Sequence, residues 1–159
     1  MNQLTNHMTQ GIFIVGVGNQ YRHDDGAGLE VVRRIKKLRE DIECVEQSGE
    51  GVQLMDTWKE RNHVILIDAV SSSKAPGTLH CINANKEPLP KNWFSCSTHN
   101  FGVAEAVEMS NVMDTLPVTL QIFGIEGNCF DPGEGLTPEV EQAVNRVVEQ
   151  IQSIVDGEQ

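Results

Sequence analysis

Short apolar runs that are rich in β-branched residues recur along the chain and predict five β-strands. A run that is almost wholly apolar is typical of a strand buried on both faces, as in a parallel sheet. The predicted strands cover residues 12–17, 42–46, 63–68, 78–82 and 118–124. Residues 84–96 include two prolines and predict an irregular surface segment before the last strand.

Apolar residues at helical spacing predict helices between these strands and after the last one. The first helix, over residues 27–39, places on one face Gly28, Val31, Val32, Ile35 and Leu38. Further helices are predicted at 52–58, at 99–109 with Ser97 or Thr98 as the cap, and after Thr137, with Pro138 in the first helical position.

This alternation of strands and helices indicates an α/β protein, a three-layer α/β/α sandwich around a central, mostly parallel five-stranded sheet. The chain contains no internal repeat and no linker that would divide it. At 159 residues it is long enough to bury a core of its own. We therefore expect one domain over residues 1–159, with residues 1–10 as a flexible tail.

The chain is acidic, with 12 Lys and Arg against 23 Asp and Glu and a formal net charge of −11 at pH 7. This charge weighs against nucleic acid or an anionic membrane as a partner. The excess is uneven, because residues 1–100 hold 11 basic and 12 acidic side chains whereas residues 101–159 hold one and 11. We expect the acidic excess to form a solvated face, with a docking surface as the alternative.

The cysteines and the N-terminal residues indicate a cellular compartment. No C-x-x-C pair is formed by Cys44, Cys81, Cys96 and Cys129, so the sequence favours free thiols in a reducing environment. The first ten residues lack the features of a signal peptide, and no apolar run approaches the roughly 18 residues of a membrane span. We expect a cytoplasmic protein that does not bind membranes.

Polar side chains follow the predicted strands at positions that meet at one edge of the sheet. Asp24 and Asp25 follow the first strand, Asp68 ends the third, and His99 opens a predicted helix. Ligands of open parallel sheets bind at the carboxyl ends of the strands, so we expect these side chains to converge. Two carboxylates and an imidazole suit a first-row divalent metal and leave a position open for substrate or water.

Each of these residues also has an ordinary structural interpretation. Acidic residues favour a helix N-terminus, and Asp24 is well placed as a cap. Asp68 would accept backbone hydrogen bonds in a turn, and His99 would be a helix-start residue with no special role. His23, beside the acidic pair, is a candidate for a supporting role.

A dinucleotide-binding site is the weaker alternative. Gly16-x-Gly18 follows a strand and precedes a helix, but Tyr21 occupies the third glycine position of the dinucleotide-binding fingerprint. Glu46, the acidic residue at the end of the second strand, is 28 residues beyond Gly18 rather than about 20.

Seven short motifs extend the pattern over nearly the whole chain. In order they are Gly16-Val17-Gly18-Asn19, Asp24-Asp25-Gly26-Ala27-Gly28, Ser48-Gly49-Glu50-Gly51, Ile67-Asp68-Ala69, Ala75-Pro76-Gly77-Thr78, Ser97-Thr98-His99 and Gly135-Leu136-Thr137-Pro138. Their order and approximate spacing resemble those of the hydrogenase maturation endopeptidases, which process the large subunit of nickel-iron hydrogenases.

The resemblance implies an aspartic-type endopeptidase of phosphorylase/hydrolase-like fold that removes a C-terminal extension from the large-subunit precursor after nickel insertion. By residue-level match, its catalytic and metal-contacting residues would be Asp25, Asp68 and His99. Many family members have Glu at the first of these positions, and the shorter side chain of Asp25 keeps Asp24 as an alternative ligand.

The resemblance also implies that cysteines of the substrate hold the nickel, with no resident cofactor in the protease. Carboxylate and imidazole ligands are consistent with that, since the precursor would supply the soft thiolates. The expected partner is the hydrogenase large-subunit precursor, and we expect the chain to act as a monomer. A non-catalytic nickel-binding or carrier protein is the alternative, although the chain has no His-rich or Cys-rich tract.

Overall fold

The computed structural model describes residues 11–94 and 99–157 and arranges them as alternating strands and helices. The strands are β1 (Ile12–Val17), β2 (Glu43–Gln47), β3 (His63–Val70), β4 (Leu79–Asn83) and β5 (Thr119–Glu126). The α-helices are α1 (Ala27–Leu38), α2 (Gly51–Trp58), α3 (Val103–Val112) and α4 (Pro138–Gly157). Short 3-10 helices cover His23–Gly26 and Lys91–Phe94.

The five strands form one sheet in the order β2-β1-β3-β5-β4. The pairs β2-β1, β1-β3 and β3-β5 are parallel, and β4 is antiparallel to β5. The predicted five-stranded, mostly parallel sheet is therefore confirmed. Because Gly16 of β1 lies opposite Ile67 of β3, the carboxyl ends of these two central strands are adjacent.

Helices cover both faces of the sheet because successive side chains of a strand point to opposite sides. On one face, α1 and α4 pack against a set that includes Ile14 and Ile67. On the other face, α2 and α3 pack against a set that includes Val15 and Leu66. This arrangement confirms the predicted three layers.

The helix predicted to begin at His99 begins instead at Val103. The carboxylate of Glu105 accepts a hydrogen bond from Gly102 N–H at 3.0 Å, which caps the first turn there. His99 therefore lies in the connection that precedes α3, and the prediction that it opens a helix is wrong. The caps predicted at 97 and 98 lie outside the described residues, as does the tail predicted at 1–10.

Other differences from the sequence-based predictions are small. Leu38, assigned to the buried face of α1, is the last residue of the helix and is 60% exposed because it lies beyond the core. β3 and β5 each continue two residues beyond their predicted ends. Cys44, Cys81 and Cys129 are free thiols, as predicted, whereas residue 96 lies outside the described part of the chain. Within residues 11–94 and 99–157, no helix combines the length and the apolar composition needed to span a membrane.

Candidate active site

A cavity of about 250 Å³ opens at the carboxyl ends of β1 and β3. Asp25, Asp68 and His99 all line it, although they come from three separate segments of the chain. Its other polar lining includes Ser48, Lys91 and Glu105. The structure therefore brings the three predicted site residues to one cavity.

Asp25 enters the cavity from the 3-10 helix between β1 and α1. Backbone hydrogen bonds hold this turn, from Asp25 N–H to Arg22 C=O and from Asn19 N–H to Asp25 C=O, both at 3.1 Å. Burial raises the pKa of Asp25 to about 6, although the charge of Arg22 and a hydrogen bond from the Asn19 backbone act in the opposite direction. The Asp25 carboxyl therefore titrates close to neutral pH.

Asp68 is provided by β3 and is 5% exposed. Burial raises the pKa of Asp68 well above its usual value, and the negative charge of Asp25 raises it further. A hydrogen bond from the Ala69 backbone lowers it only in part. Two carboxyl groups that oppose each other's ionisation favour a shared proton or a bound cation.

Asp24 has a different environment, although it is adjacent to Asp25. Its carboxylate is fully buried and accepts hydrogen bonds from Asn128 N–H, Cys129 N–H, Thr137 N–H and Thr137 Oγ, at 2.8 to 3.0 Å. These bonds fasten the loop that connects β5 to α4. Asp24 is therefore an anchor for this loop, and Asp25 is the member of the pair that lines the cavity.

His23 also contacts the loop between β5 and α4 rather than the cavity. Its Nδ1 lies 3.1 Å from the carbonyl oxygen of Gly135, and its backbone N–H donates to Gly133 C=O at 2.8 Å. The supporting role considered for His23 is thus a structural one, because it holds the turn that carries Asp25.

His99 is half-buried and faces the connection between β2 and α2. Gly49 in that connection has a φ of +98°, and a Cβ there would lie 3.0 Å from Val17 Cγ1 and 3.9 Å from His99 Cδ2. Glycine thus satisfies the backbone conformation and leaves the space beside the imidazole open. Among the described residues, no three His, Cys, Asp or Glu side chains are grouped closely enough to hold a metal ion by themselves.

A second depression, of about 310 Å³, adjoins the first. The two share Gly18, Asp25, Ser48 and His99, so they are adjacent, and together they are called the cleft. The far wall of the second depression is formed by Tyr21, Leu29, Arg33 and Glu46. The cleft therefore extends from the site toward the edge strand β2.

A second polar cluster, which the sequence analysis did not find, joins the ends of β3, β4 and β5. Ser72 Oγ donates to Glu126 Oε1 at 2.5 Å, and His80 Nε2 lies 3.0 Å from the same oxygen and 3.4 Å from Ser72 Oγ. Burial acts to raise the pKa of Glu126, but hydrogen bonds from Ser72 and His80 outweigh it and lower that pKa. A serine nucleophile needs a histidine that uses one nitrogen for the serine and the other for the carboxylate. Here one nitrogen faces both partners, so the cluster is a structural connection.

Both the sequence and the fold of the chain are similar to those of known proteins. The family model described as hydrogenase maturation protease matches residues 29–154. The hydrogenase 2 maturation protease of Escherichia coli is 29% identical over 145 residues, which are 88% of this chain and 87% of that protein. An endopeptidase from Escherichia coli, solved in solution, is 26% identical with a TM-score of 0.78 and covers 93% of this chain and 94% of its own. The maturating endopeptidase HybD of Escherichia coli, at 22% identity and a TM-score of 0.74, has the same fold with the same coverage.

Proposed function

The chain belongs to the hydrogenase maturation protease family, and on that premise we propose that it removes the C-terminal extension of a nickel-iron hydrogenase large-subunit precursor after nickel insertion. The convergence of Asp25, Asp68 and His99 on one cavity carries the proposal. Asp25 and His99, the first and last of the three, are more than 70 positions apart in the sequence, so the fold brings them together.

The donor chemistry of the cavity supports a ligand that brings its own metal. The three side chains offer two carboxyl groups and one imidazole, which are oxygen and nitrogen donors suited to divalent transition metals. Thiolates of the precursor would hold the nickel, and these three side chains would complete its coordination sphere. In this proposal the nickel is part of the substrate, and the protease needs no resident cofactor.

Coordination would also fix where the peptide is cut. A precursor whose nickel is bound by Asp25, Asp68 and His99 is held with its C-terminal segment in the cleft beside the same residues. Because the pKa of Asp25 is about 6, its carboxyl loses its proton readily near neutral pH when it binds the nickel. The more deeply buried Asp68 would release its proton on binding the same metal.

The proposal is tested with nickel-loaded and nickel-free precursor and with the variant His99→Ala. We expect the wild-type chain to cleave the nickel-loaded form alone, and His99→Ala to lower that rate by about 100-fold or more. His63→Ala is the matched control, since His63 begins β3 and lies at the amino ends of the parallel strands, away from the cavity at their carboxyl ends. Equal cleavage of the two precursor forms, or full activity of His99→Ala, would contradict nickel recognition.

A further inference from the structure

The cleft continues from the candidate site toward β2, which has no strand partner on its outer side within residues 11–94 and 99–157. Its second depression is bounded by Glu46 and Ser48, at the end of β2. β2 is the outermost strand on this side of the sheet and pairs with β1. The second depression therefore adjoins both the end of β2 and Asp25.

The backbone of β2 presents hydrogen-bonding groups to that depression. Gly18 N–H donates to Gln47 C=O at 3.1 Å, so the polar backbone groups of Gln47 face β1. Successive residues of a strand direct these groups to alternate edges, so those of Glu46 face the open side. Ser48 follows the last residue of β2. Within residues 11–94 and 99–157, no backbone carbonyl accepts from Ser48 N–H.

The side chains around this edge leave it accessible. The carboxylate of Glu46 is drawn toward α1 by Arg33, with nitrogen–oxygen distances of 2.9 and 3.0 Å. Ser48 is small and exposed, and Gly49 has no side chain. The aromatic ring of Tyr21, 62% exposed, also lines the second depression. Glu46 and Ser48 therefore share this depression with His99 and Asp25.

We propose that the precursor segment that carries the scissile bond binds in an extended conformation, with its backbone hydrogen-bonded to Glu46 and Ser48 at the open edge of β2. An exposed strand edge binds an extended peptide through main-chain hydrogen bonds that do not depend on the peptide's side chains. The pairing directs the segment past Gly49 to Asp25 and His99. This inference rests on the proposed function, because it takes the precursor as the ligand.

Hydrogen–deuterium exchange of the wild-type chain, with and without excess nickel-loaded precursor, tests the pairing directly. We expect exchange to slow in residues 43–50 because the outward amides of β2 acquire acceptors. Exchange at β4, the opposite edge of the sheet, should not change. Protection around residues 18–25 and 99–105 without protection at 43–50 would overturn the pairing.

A proline substitution tests the contribution of one amide. Ser48→Pro removes the Ser48 N–H, and we expect the KM for the precursor to rise about tenfold. The matched control is Cys81→Pro in β4. Ala84 N–H donates to Leu120 C=O and Thr78 C=O accepts from Glu126 N–H, so even-numbered residues of β4 face β5 and Cys81 faces outward. An equal KM for Ser48→Pro and Cys81→Pro would overturn the inference.

These outcomes separate the inference from the proposed function. If the wild-type chain does not cleave the nickel-loaded precursor, the proposed function fails. If it cleaves the precursor without protection of residues 43–50, only the β2 pairing fails. Thermal unfolding of both proline variants shows whether they fold. If Ser48→Pro does not fold, the exchange experiment on the wild-type chain decides whether the precursor pairs with β2.

Discussion

Asp24 and Asp25 are neighbours with the same carboxyl group, but their surroundings give them different roles. The Asp24 carboxylate accepts four hydrogen bonds from the loop between β5 and α4. The Asp25 carboxyl lines the cavity and has a pKa raised by burial to about 6. The first is expected to stabilise the fold and the second to act on the substrate.

Alanine substitution at each position should separate these two contributions. Asp24→Ala leaves buried donors without an acceptor, and we expect it to lower the free energy of unfolding by about 3 kcal/mol or more. Asp25→Ala removes a buried carboxyl that is poorly compensated, so it should abolish precursor cleavage with little loss of stability. Urea unfolding and cleavage assays of both variants provide the comparison. Similar losses of stability in the two variants would contradict this division.

The buried carboxyl of Asp68 makes stability depend on pH. Its pKa is higher in the folded than in the unfolded chain, so its contribution to stability is complete below the unfolded pKa and is lost as the pH rises through the folded value. Asp68→Asn imitates the protonated form. We expect this variant to be more stable than the wild type at pH 7, by about 1–3 kcal/mol, while it loses activity.

The pH series supplies the control for Asp68→Asn. Below about pH 3 the wild-type carboxyl is protonated in both folded and unfolded chains, so the two proteins should converge in stability. Unfolding midpoints in urea from about pH 3 to about pH 7 measure the difference. A constant difference over this range would show that something other than ionisation of Asp68 is responsible.

At the residue scale, the sequence predicted that Asp25, Asp68 and His99 converge, and they line one cavity, but it could not separate Asp25 from Asp24. The separation depends on hydrogen bonds between Asp24 and residues more than 100 positions away. The sequence did not reveal the polar cluster at Glu126 for a similar reason. Its partners come from elsewhere in the chain, because Ser72 follows β3 and His80 belongs to β4. Residue type and local spacing indicate candidate chemistry, whereas long-range contacts decide which candidate is exposed to a ligand.

At the element scale, two glycines allow α1 and the sheet to approach closely. A Cβ on Gly28 would come within 2.3 Å of Ile67 C=O and 2.4 Å of Val17 C=O. A Cβ on Gly16 would come within 2.3 Å of Gly28 C=O. In the dinucleotide-binding fingerprint the third glycine allows close packing of helix and strand. Tyr21 occupies that position here, and Gly28 allows the close packing instead. This contact holds the N-terminus of α1, and with it Asp25, over the ends of β1 and β3.

Gly28→Ala tests this contact because helix propensity and packing predict opposite effects. Alanine is intrinsically more favourable than glycine within a helix by about 1 kcal/mol. The backbone atoms that a Cβ would meet cannot move aside cheaply, so we expect a net loss of about 2–4 kcal/mol in unfolding free energy. Lys37→Ala, on the exposed face of α1, is the control and should change stability by less than about 0.5 kcal/mol. A stabilised Gly28→Ala would show that α1 can shift away from the sheet.

The strands were easier to predict than the helix starts for a physical reason. Central strands of a parallel sheet are buried on both faces, so their apolar runs are visible in the sequence without knowledge of their partners. The start of α3 depends on one hydrogen bond between Gly102 and Glu105, which local composition does not distinguish from a start at His99. The error had little effect on the site, because His99 reaches the cavity from the preceding connection.

At the scale of the whole molecule, the acidic excess of residues 101–159 lies largely apart from the cleft. Glu139 and Glu149 are exposed on α4, which packs with α1 on one face of the sheet. Glu141, also on α4, pairs with Arg34 of α1 and thus has a structural contact. The cleft lies at the carboxyl ends of the strands. This arrangement favours a solvated acidic face over a docking surface for the precursor.

Substitution of Glu139, Glu141 and Glu149 by Gln tests that interpretation against a docking role. We expect unchanged precursor cleavage and a loss of stability below about 1 kcal/mol, since the Arg34–Glu141 pair is partly exposed. Lys36→Gln with Lys37→Gln, on α1, changes the net charge in the opposite direction. If the net charge of the molecule steered the precursor, the glutamate substitutions and the lysine substitutions would change kcat/KM in opposite directions. Both effects would then weaken in high salt. Slower cleavage by the glutamate variant alone would instead mark α4 as a docking surface and contradict the solvated-face interpretation.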